Sequence, residues 1–94
     1  MWRFYIYHMP YFVYIIQSDK DKTFYKGFTE DIEKRLIQHN NGESRYTSRK
    51  TPWKLVYLKE FNTKKEALIF EKKIKRYNAI FLQKIIAEHI IQTG

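Results

Sequence analysis

The sequence predicts a single α+β domain, in which three strands form a mostly antiparallel sheet flanked by three helices in the order ββαβαα. The 94 residues are enough for one domain, because chains divide into several domains only at greater length. Hydrophobic residues make up 44% of the chain and aromatic residues 18%, a composition typical of a packed core. Apolar runs and helix-capping signals succeed one another along the chain, with no repeat or linker between them.

The first two strands are expected to form a hairpin. Residues 11–17 (YFVYIIQ) are apolar at successive positions, as in a central strand that is covered on both faces. A polar turn at 18–22 leads to a second strand at 23–28 (TFYKGF). Gly27, near the end of this strand, indicates a bulge or a close approach of the backbone to another group.

The first helix and the third strand follow the hairpin. Thr29 is the expected N-cap of the helix, because its side-chain oxygen can accept a hydrogen bond from the first turn. The helix runs to about His39, and Asn40-Asn41-Gly42 ends it. A polar, basic loop at 43–52 then leads into a third strand at 53–61 (WKLVYLKEF).

Capping signals also place the last two helices. A Thr-x-x-Glu capping box at 63–66 begins the second helix, which runs to about Tyr77. Asn78 is the expected cap of a third helix at 79–91.

The chain is strongly basic, with a formal net charge of +8 that falls mostly after residue 47. Cations interleaved with aromatic rings suit a polyanion, because cations neutralise phosphates and rings stack on bases. The alternative is a solubilising surface. The candidate nucleic-acid contacts are Lys26, Arg45, Tyr46, Arg49, Lys50, Lys54 and Lys75.

Several classes of protein are excluded by composition. The absence of cysteine excludes a disulfide scaffold, a thiolate zinc site and a cysteine nucleophile. No apolar run is long enough for a membrane span, and no glycine-rich loop indicates a nucleotide cofactor. We expect a monomer in the cytoplasm, with no membrane partner. Residues 1–10 are expected to be an extension of a domain that spans 11–94.

One carboxylate is predicted to lie on an apolar face of the second helix. With Ala67 set at 0°, Ile74 falls at about 340° and Glu71 at about 40°. A carboxylate on such a face is costly unless it is paired, hydrogen-bonded or bound to a metal. The alternative is that Glu71 lies at the rim of the core and pairs with Lys75 at i+4.

Further polar side chains edge the apolar faces of the hairpin and the first helix. Arg35 and His39 are i,i+4 neighbours beside the apolar stripe of the helix. If the hairpin turn centres between residues 19 and 20, Tyr14 and Tyr25 lie directly opposite each other on one face. These groups, together with the carboxylate of the second helix, are candidates for one common site. Structural roles are the alternative for each of them.

These residues resemble the motifs of the GIY-YIG nuclease superfamily. Phe12-Val13-Tyr14 stands where that family has GIY, and Tyr25-Lys26-Gly27 stands where it has YIG. Arg35 and His39 match the Arg and the His or Tyr of the helix that follows, and Glu71 matches the metal-binding Glu of a later helix.

The resemblance covers about residues 11–86 and is strongest to the small stand-alone bacterial members, the URI-type endonucleases. These members also carry HNxG after the first helix, here at 39–42, and then YT at 46–47. The sequence departs from the family pattern where Lys26 replaces an apolar residue of YIG and where Phe28 stands in place of a lysine.

The resemblance implies a nuclease that hydrolyses DNA with one Mg²⁺ or Mn²⁺ ion, held by Glu71. It implies that Arg35 holds the phosphate and that Tyr14 or Tyr25 orients or deprotonates the attacking water, with His39 as the alternative base. We expect low sequence specificity and a role in DNA repair or processing. The departures favour an alternative, a catalytically degenerate nucleic-acid-binding module with the same fold; a protein-partner domain is a second alternative.

Overall fold

A computed structural model describes residues 10–93, and it confirms the α+β class and the order ββαβαα. The predicted extension at 1–10 lies, except for Pro10, outside the described residues. A short 3-10 turn, Ser48–Lys50, interrupts the loop before the third strand. The regular elements are β1 (Tyr11–Ser18), β2 (Phe24–Thr29), α1 (Ile32–Asn40), β3 (Trp53–Phe61), α2 (Lys64–Ile74) and α3 (Ala79–Thr93). None of the described helices is long and apolar enough to cross a membrane.

The three strands form one antiparallel sheet in the order β2-β1-β3. β1 is the central strand, which explains why its sequence is apolar at successive positions. Val13 and Ile15 pack on one face with residues of α2 and α3. Tyr14 and Ile16 pack on the opposite face, with Trp53 and residues of α1. The sheet therefore separates two apolar clusters, and the second one surrounds a tyrosine.

The register of the hairpin differs from the prediction. Tyr14 pairs with Gly27, and Tyr25 pairs with Ile16, so the two tyrosines are diagonal neighbours and not directly opposite. The backbone N–H of Ser18 donates to the carbonyl of Thr23, which centres the turn one residue later than predicted. Because this changes the pairing by two residues, both tyrosines still lie on the same face of the sheet.

Gly27 is a point of close approach, as its position in β2 predicted. A methyl group added at this residue would overlap the phenol of Tyr14 on the neighbouring strand. Gly27 thus leaves room for the Tyr14 hydroxyl beneath the edge strand.

The helix caps agree with the sequence in two cases of three. Thr63 caps the second helix, since its hydroxyl accepts from the backbone N–H of Glu66, and the side chain of Asn78 accepts a hydrogen bond from the backbone N–H of Phe81. The predicted cap at Thr29 is wrong, because β2 continues through that residue. Asp31 is the N-cap of α1, where its carboxylate accepts from the backbone N–H of Lys34. α2 is also shorter than predicted, since it ends at Ile74.

Candidate active site

Three aromatic rings line the sheet face that α1 covers. Tyr14 and Tyr25 have ring centroids 6.5 Å apart, and the ring of His39 lies 5.8 Å from the first and 5.1 Å from the second. Tyr14 and His39 are buried, whereas Tyr25 is partly exposed. The strands and α1 thus bring together both phenols and the imidazole that the sequence singled out.

A chain of hydrogen bonds runs through this cluster. The Nε of Arg35 donates to the Tyr14 hydroxyl at 3.3 Å, and that hydroxyl lies 2.8 Å from Nε2 of His39. On the far side of the ring, Nδ1 of His39 lies 2.8 Å from the hydroxyl of Thr47. Arg35 also donates through Nη1 to the side-chain oxygen of Gln38. The contacts of Tyr14 and His39 hold both side chains in fixed positions beneath the surface.

The charge state of the cluster follows from its burial. Burial raises the pKa of Tyr14, and the Glu71 carboxylate adds to this effect, so the phenol stays protonated at neutral pH. Burial and the charge of Arg35 lower the pKa of His39 to about 4, so the imidazole is neutral. Burial opposes the charge of Arg35, but its contacts with Tyr14 and Tyr25 outweigh this and raise its pKa. The site therefore presents one fixed cation beside neutral hydrogen-bonding groups.

Glu71 approaches this cluster from α2. Its carboxylate is near enough to act on the pKa of Tyr14, and its side chain is only 16% exposed. The ion pair with Lys75 that was the alternative prediction is formed, with Nζ 3.4 Å from Oε2. The lysine side chain is 53% exposed, and such surface pairs contribute only about 0–1 kcal/mol. A metal ion would therefore have to displace Lys75 from this carboxylate, at a small cost in free energy.

The surroundings of Glu71 can be compared with the ligands that the implied Mg²⁺ or Mn²⁺ ion requires. Within residues 10–93, no group of three or more His, Asp or Glu side chains could hold a metal ion. Mg²⁺ is commonly bound by one or two carboxylates, with water and substrate phosphates as its other ligands. Glu71 fits this kind of site, in which most of the ligands come from the substrate and the solvent.

The predicted nucleic-acid contacts fall into two groups. Lys50 pairs with Asp21 at 2.9 Å, and Lys54 pairs with Asp19 at 3.6 Å, so acids of the hairpin turn partly neutralise these cations. Arg45 and Arg49 are exposed, and neither forms an ion pair within the part of the chain that the structure describes.

Two of the other predicted contacts differ in exposure. Tyr46 is 83% exposed, so it does not pack in the loop. Lys26 is partly buried on β2, and its pKa is lowered by burial and by the charge of Lys75. The nearness of these two lysines gives the Glu71 side of the site a positive rim.

Two residues that contact the site, Thr47 and Asn40, were not among the predicted site residues. Thr47 is buried beneath the loop, and its backbone carbonyl accepts a hydrogen bond from the Trp53 indole at 2.9 Å. The side chain of Asn40 bonds both the N–H and the carbonyl of Trp53. Thr47 lies within the YT motif noted above, but a polar residue in a polar loop gives no sign of burial.

The burial of His39 predicts a pH dependence of stability. In the unfolded chain a histidine binds a proton below about pH 6.5, whereas folded His39 does so only below about 4. Protonation therefore favours the unfolded state, and the free energy of unfolding should fall by about 2 kcal/mol between pH 7 and pH 5. Urea unfolding at the two pH values measures this. His39→Gln should remove most of the difference; an equal pH dependence in that variant would contradict the assignment.

Known proteins are similar to this chain in sequence. The model of the GIY-YIG catalytic domain family matches residues 10–81. A UPF0213 protein of Staphylococcus saprophyticus is 43% identical over 79 residues, which cover 83% of this chain and 95% of that protein. A UPF0213 protein of Haloquadratum walsbyi is 38% identical, covering 83% of this chain and 88% of its own.

A solved structure of another UPF0213 protein is similar to this chain in fold. The solution NMR structure of the UPF0213 protein BH0048 from Bacillus halodurans superimposes with a TM-score of 0.56 and 29% identity, covering 84% of each chain. Since the family model also extends over most of the chain, the protein belongs to the GIY-YIG nuclease superfamily, alongside the small UPF0213 proteins.

Proposed function

We propose that this protein is a divalent-metal-dependent endonuclease that hydrolyses DNA phosphodiester bonds, as a monomer in the cytoplasm, in DNA repair or processing. The observation that carries the proposal is the hydrogen-bonded set of Arg35, Tyr14 and His39 on one sheet face, with the Glu71 carboxylate acting on the same phenol. A fixed cation, proton-exchanging groups and a carboxylate are the components that phosphodiester hydrolysis needs.

Arg35 is the proposed phosphate ligand. Its Nε and Nη1 already donate to Tyr14 and Gln38, which fixes the plane of the guanidinium. The side chain is partly exposed, so the remaining N–H donors can reach a phosphate oxygen. A fixed donor of this kind stabilises the charge that develops as water attacks phosphorus, without reorganising during the reaction.

The phenols and the imidazole are proposed to position the attacking water and take its proton. Tyr25 reaches the surface, whereas Tyr14 and His39 lie beneath it and hydrogen-bond to each other. A phenol with a raised pKa is a weak base at neutral pH, so Tyr14 needs an acceptor for its own proton. Neutral His39, at 2.8 Å, accepts the hydrogen bond of that phenol, but its pKa of about 4 makes it a poor acceptor of the proton itself, so the Tyr14–His39 pair is proposed to orient the water.

Glu71 is the proposed protein ligand of a Mg²⁺ or Mn²⁺ ion. When bound, such an ion supplies charge stabilisation for the leaving oxygen. The largely buried carboxylate belongs to α2 and acts electrostatically on Tyr14, while Lys75 pairs with it and also acts on Lys26. These lysines would attract the DNA backbone towards the carboxylate.

The proposed DNA contacts are the exposed cations of the loop, Arg45 and Arg49, with Tyr46 between them. Contacts to phosphates carry no sequence information, which supports low intrinsic specificity. Lys50 and Lys54 are expected to contribute less, because Asp21 and Asp19 already pair with them.

A second candidate is a nucleic-acid-binding module that lacks catalysis. The ion pair of Lys75 with Glu71 favours it, because the pair occupies the carboxylate that a metal would need. Lys26, which stands at an apolar position of the family motif, favours it as well.

Cleavage of a supercoiled plasmid separates the two candidates. With Mg²⁺ or Mn²⁺ we expect nicking by the native protein, its loss in EDTA, and a loss of about 10²–10³-fold in Arg35→Ala, since one fixed donor contributes that much to a reaction of this kind. Equal cutting by both proteins would indicate a contaminating nuclease. Salt-dependent DNA binding without any cutting would establish the binding module and contradict the endonuclease.

A further inference from the structure

We propose that His39 is held as the tautomer in which Nε2 is the bare nitrogen that faces Tyr14, and that Thr47 is a positioning residue that stabilises this tautomer by accepting from the Nδ1–H. The inference rests on the proposed function for its consequence in catalysis, but its structural content stands apart from it. Thr47 belongs to the loop after α1, and its hydroxyl lies 2.8 Å from Nδ1 of His39. Both residues are buried, Thr47 to 1% exposure and His39 to 0%.

The direction of each hydrogen bond follows from the donors available. Arg35 can only donate, so the Tyr14 oxygen accepts its N–H, and the phenol keeps its own hydrogen for another partner. Nε2 of His39, at 2.8 Å, is that partner, and it must therefore be the acceptor. A neutral imidazole carries one N–H, which then lies on Nδ1 and donates to Thr47.

The opposite tautomer leaves one hydrogen without a partner. If Nε2 carried the hydrogen, the Tyr14 oxygen would accept from both His39 and Arg35, and the phenol hydrogen would have no acceptor among its hydrogen bonds in the structure. With Nδ1 protonated, the Thr47 hydroxyl accepts from the ring and donates its own hydrogen to the carbonyl of Ser44 at 3.5 Å.

Thr47 is held in place independently of His39. Its backbone N–H donates to the carbonyl of Ser44 at 3.2 Å, and its carbonyl accepts from the indole of Trp53 at 2.9 Å. Trp53 is in turn anchored to Asn40 at the end of α1. The loop therefore holds the Thr47 hydroxyl beside Nδ1, where it can accept from the ring while its own hydrogen points to Ser44. Outer partners of this kind help to set the tautomer of a functional histidine.

The test measures the ring nitrogens of His39 by ¹⁵N NMR, near neutral pH, in the native protein and in Thr47→Val and Thr47→Ser. We expect a protonated Nδ1 and a bare Nε2 in the native chain and the serine variant. Valine has the shape of threonine but no acceptor, so we expect the Nε2-protonated form to become populated in Thr47→Val. A protonated Nε2 in the native protein, or native-like shifts in Thr47→Val, would overturn the proposal.

This measurement needs neither metal nor DNA, so its outcome is distinct from that of the proposed function. If the native protein cleaves DNA, kcat should fall about 10- to 100-fold in Thr47→Val with little change in KM, and Thr47→Ser should restore it. A variant in which only the packing of Thr47 is lost would keep the ¹⁵N shifts that the His39 ring has in the native protein. If the valine variant does not fold, the tautomer of the native protein and of Thr47→Ser decides the matter.

Discussion

Replacing Glu71 with glutamine is expected to lower metal-supported cleavage by about 10³-fold, because a bound metal contributes several kcal/mol of charge stabilisation and each 1.4 kcal/mol is tenfold in rate. Glutamine keeps the shape of the side chain and removes its charge. The fold should be retained, since the ion pair lost with Lys75 lies at the surface.

Two measurements check this expectation. Single-turnover cleavage gives the rate, and Mn²⁺-induced broadening of NMR signals gives the place of the metal, with Tyr14 and Arg35 affected in the native protein and spared in Glu71→Gln. Glu33→Gln is a matched control, because Glu33 is an exposed carboxylate in the first turn of α1. If Glu71→Gln cleaved like the native chain, or broadened at the same residues, the metal assignment would be wrong.

The position of Glu71 shows both what helical periodicity predicts and what it leaves open. The angle from Ala67 was enough to place the carboxylate beside the apolar face, and the side chain is indeed half-buried. The same spacing also placed Lys75 one turn away, and that ion pair forms too. Periodicity gives the face of a helix but not the preference of a side chain between two nearby partners.

The hairpin illustrates a different limit. The assumed centre of the turn placed Tyr14 and Tyr25 on one face, and they do share it because the actual pairing differs by two residues and not by one. The pairing register depended on where the turn closes, and the side chain of Ser18 decides this by accepting from the backbone N–H groups of Lys20 and Asp21. A polar run offers several such closures, so the register could not be read from residue types alone.

The burial of Thr47 and its contact with His39 could not be predicted from residue types, although the YT motif that contains Thr47 was recognised. It lies in a polar loop, and only the folded chain shows that Trp53 and His39 hold it against the sheet. The predicted N-cap of α1 was wrong for a related reason, because Thr29 is the last residue of the preceding strand. In both cases long-range packing decided between local alternatives.

Replacing Tyr14 with phenylalanine is the second change with a large expected effect. The lost hydroxyl accepts from Arg35 and lies against Nε2 of His39, so the variant leaves a buried imidazole nitrogen without its partner. This should lower the free energy of unfolding by about 1–3 kcal/mol. Cleavage should fall by about 10²–10⁴-fold, the usual contribution of a positioned proton-transfer group. Urea unfolding and single-turnover cleavage measure the two effects.

Two further phenylalanine variants separate this role from general packing. Tyr11→Phe alters a phenol on the opposite face of β1, stacked on Phe28, and should leave cleavage unchanged. Tyr25→Phe alters the outer phenol but keeps the bonds from Arg35 to Tyr14 and from Tyr14 to His39, so its cost in stability should be smaller than that of Tyr14→Phe. Because Tyr14 hydrogen-bonds to both the guanidinium and the imidazole, cleavage at the native rate by Tyr14→Phe would show that this connection does not serve the reaction.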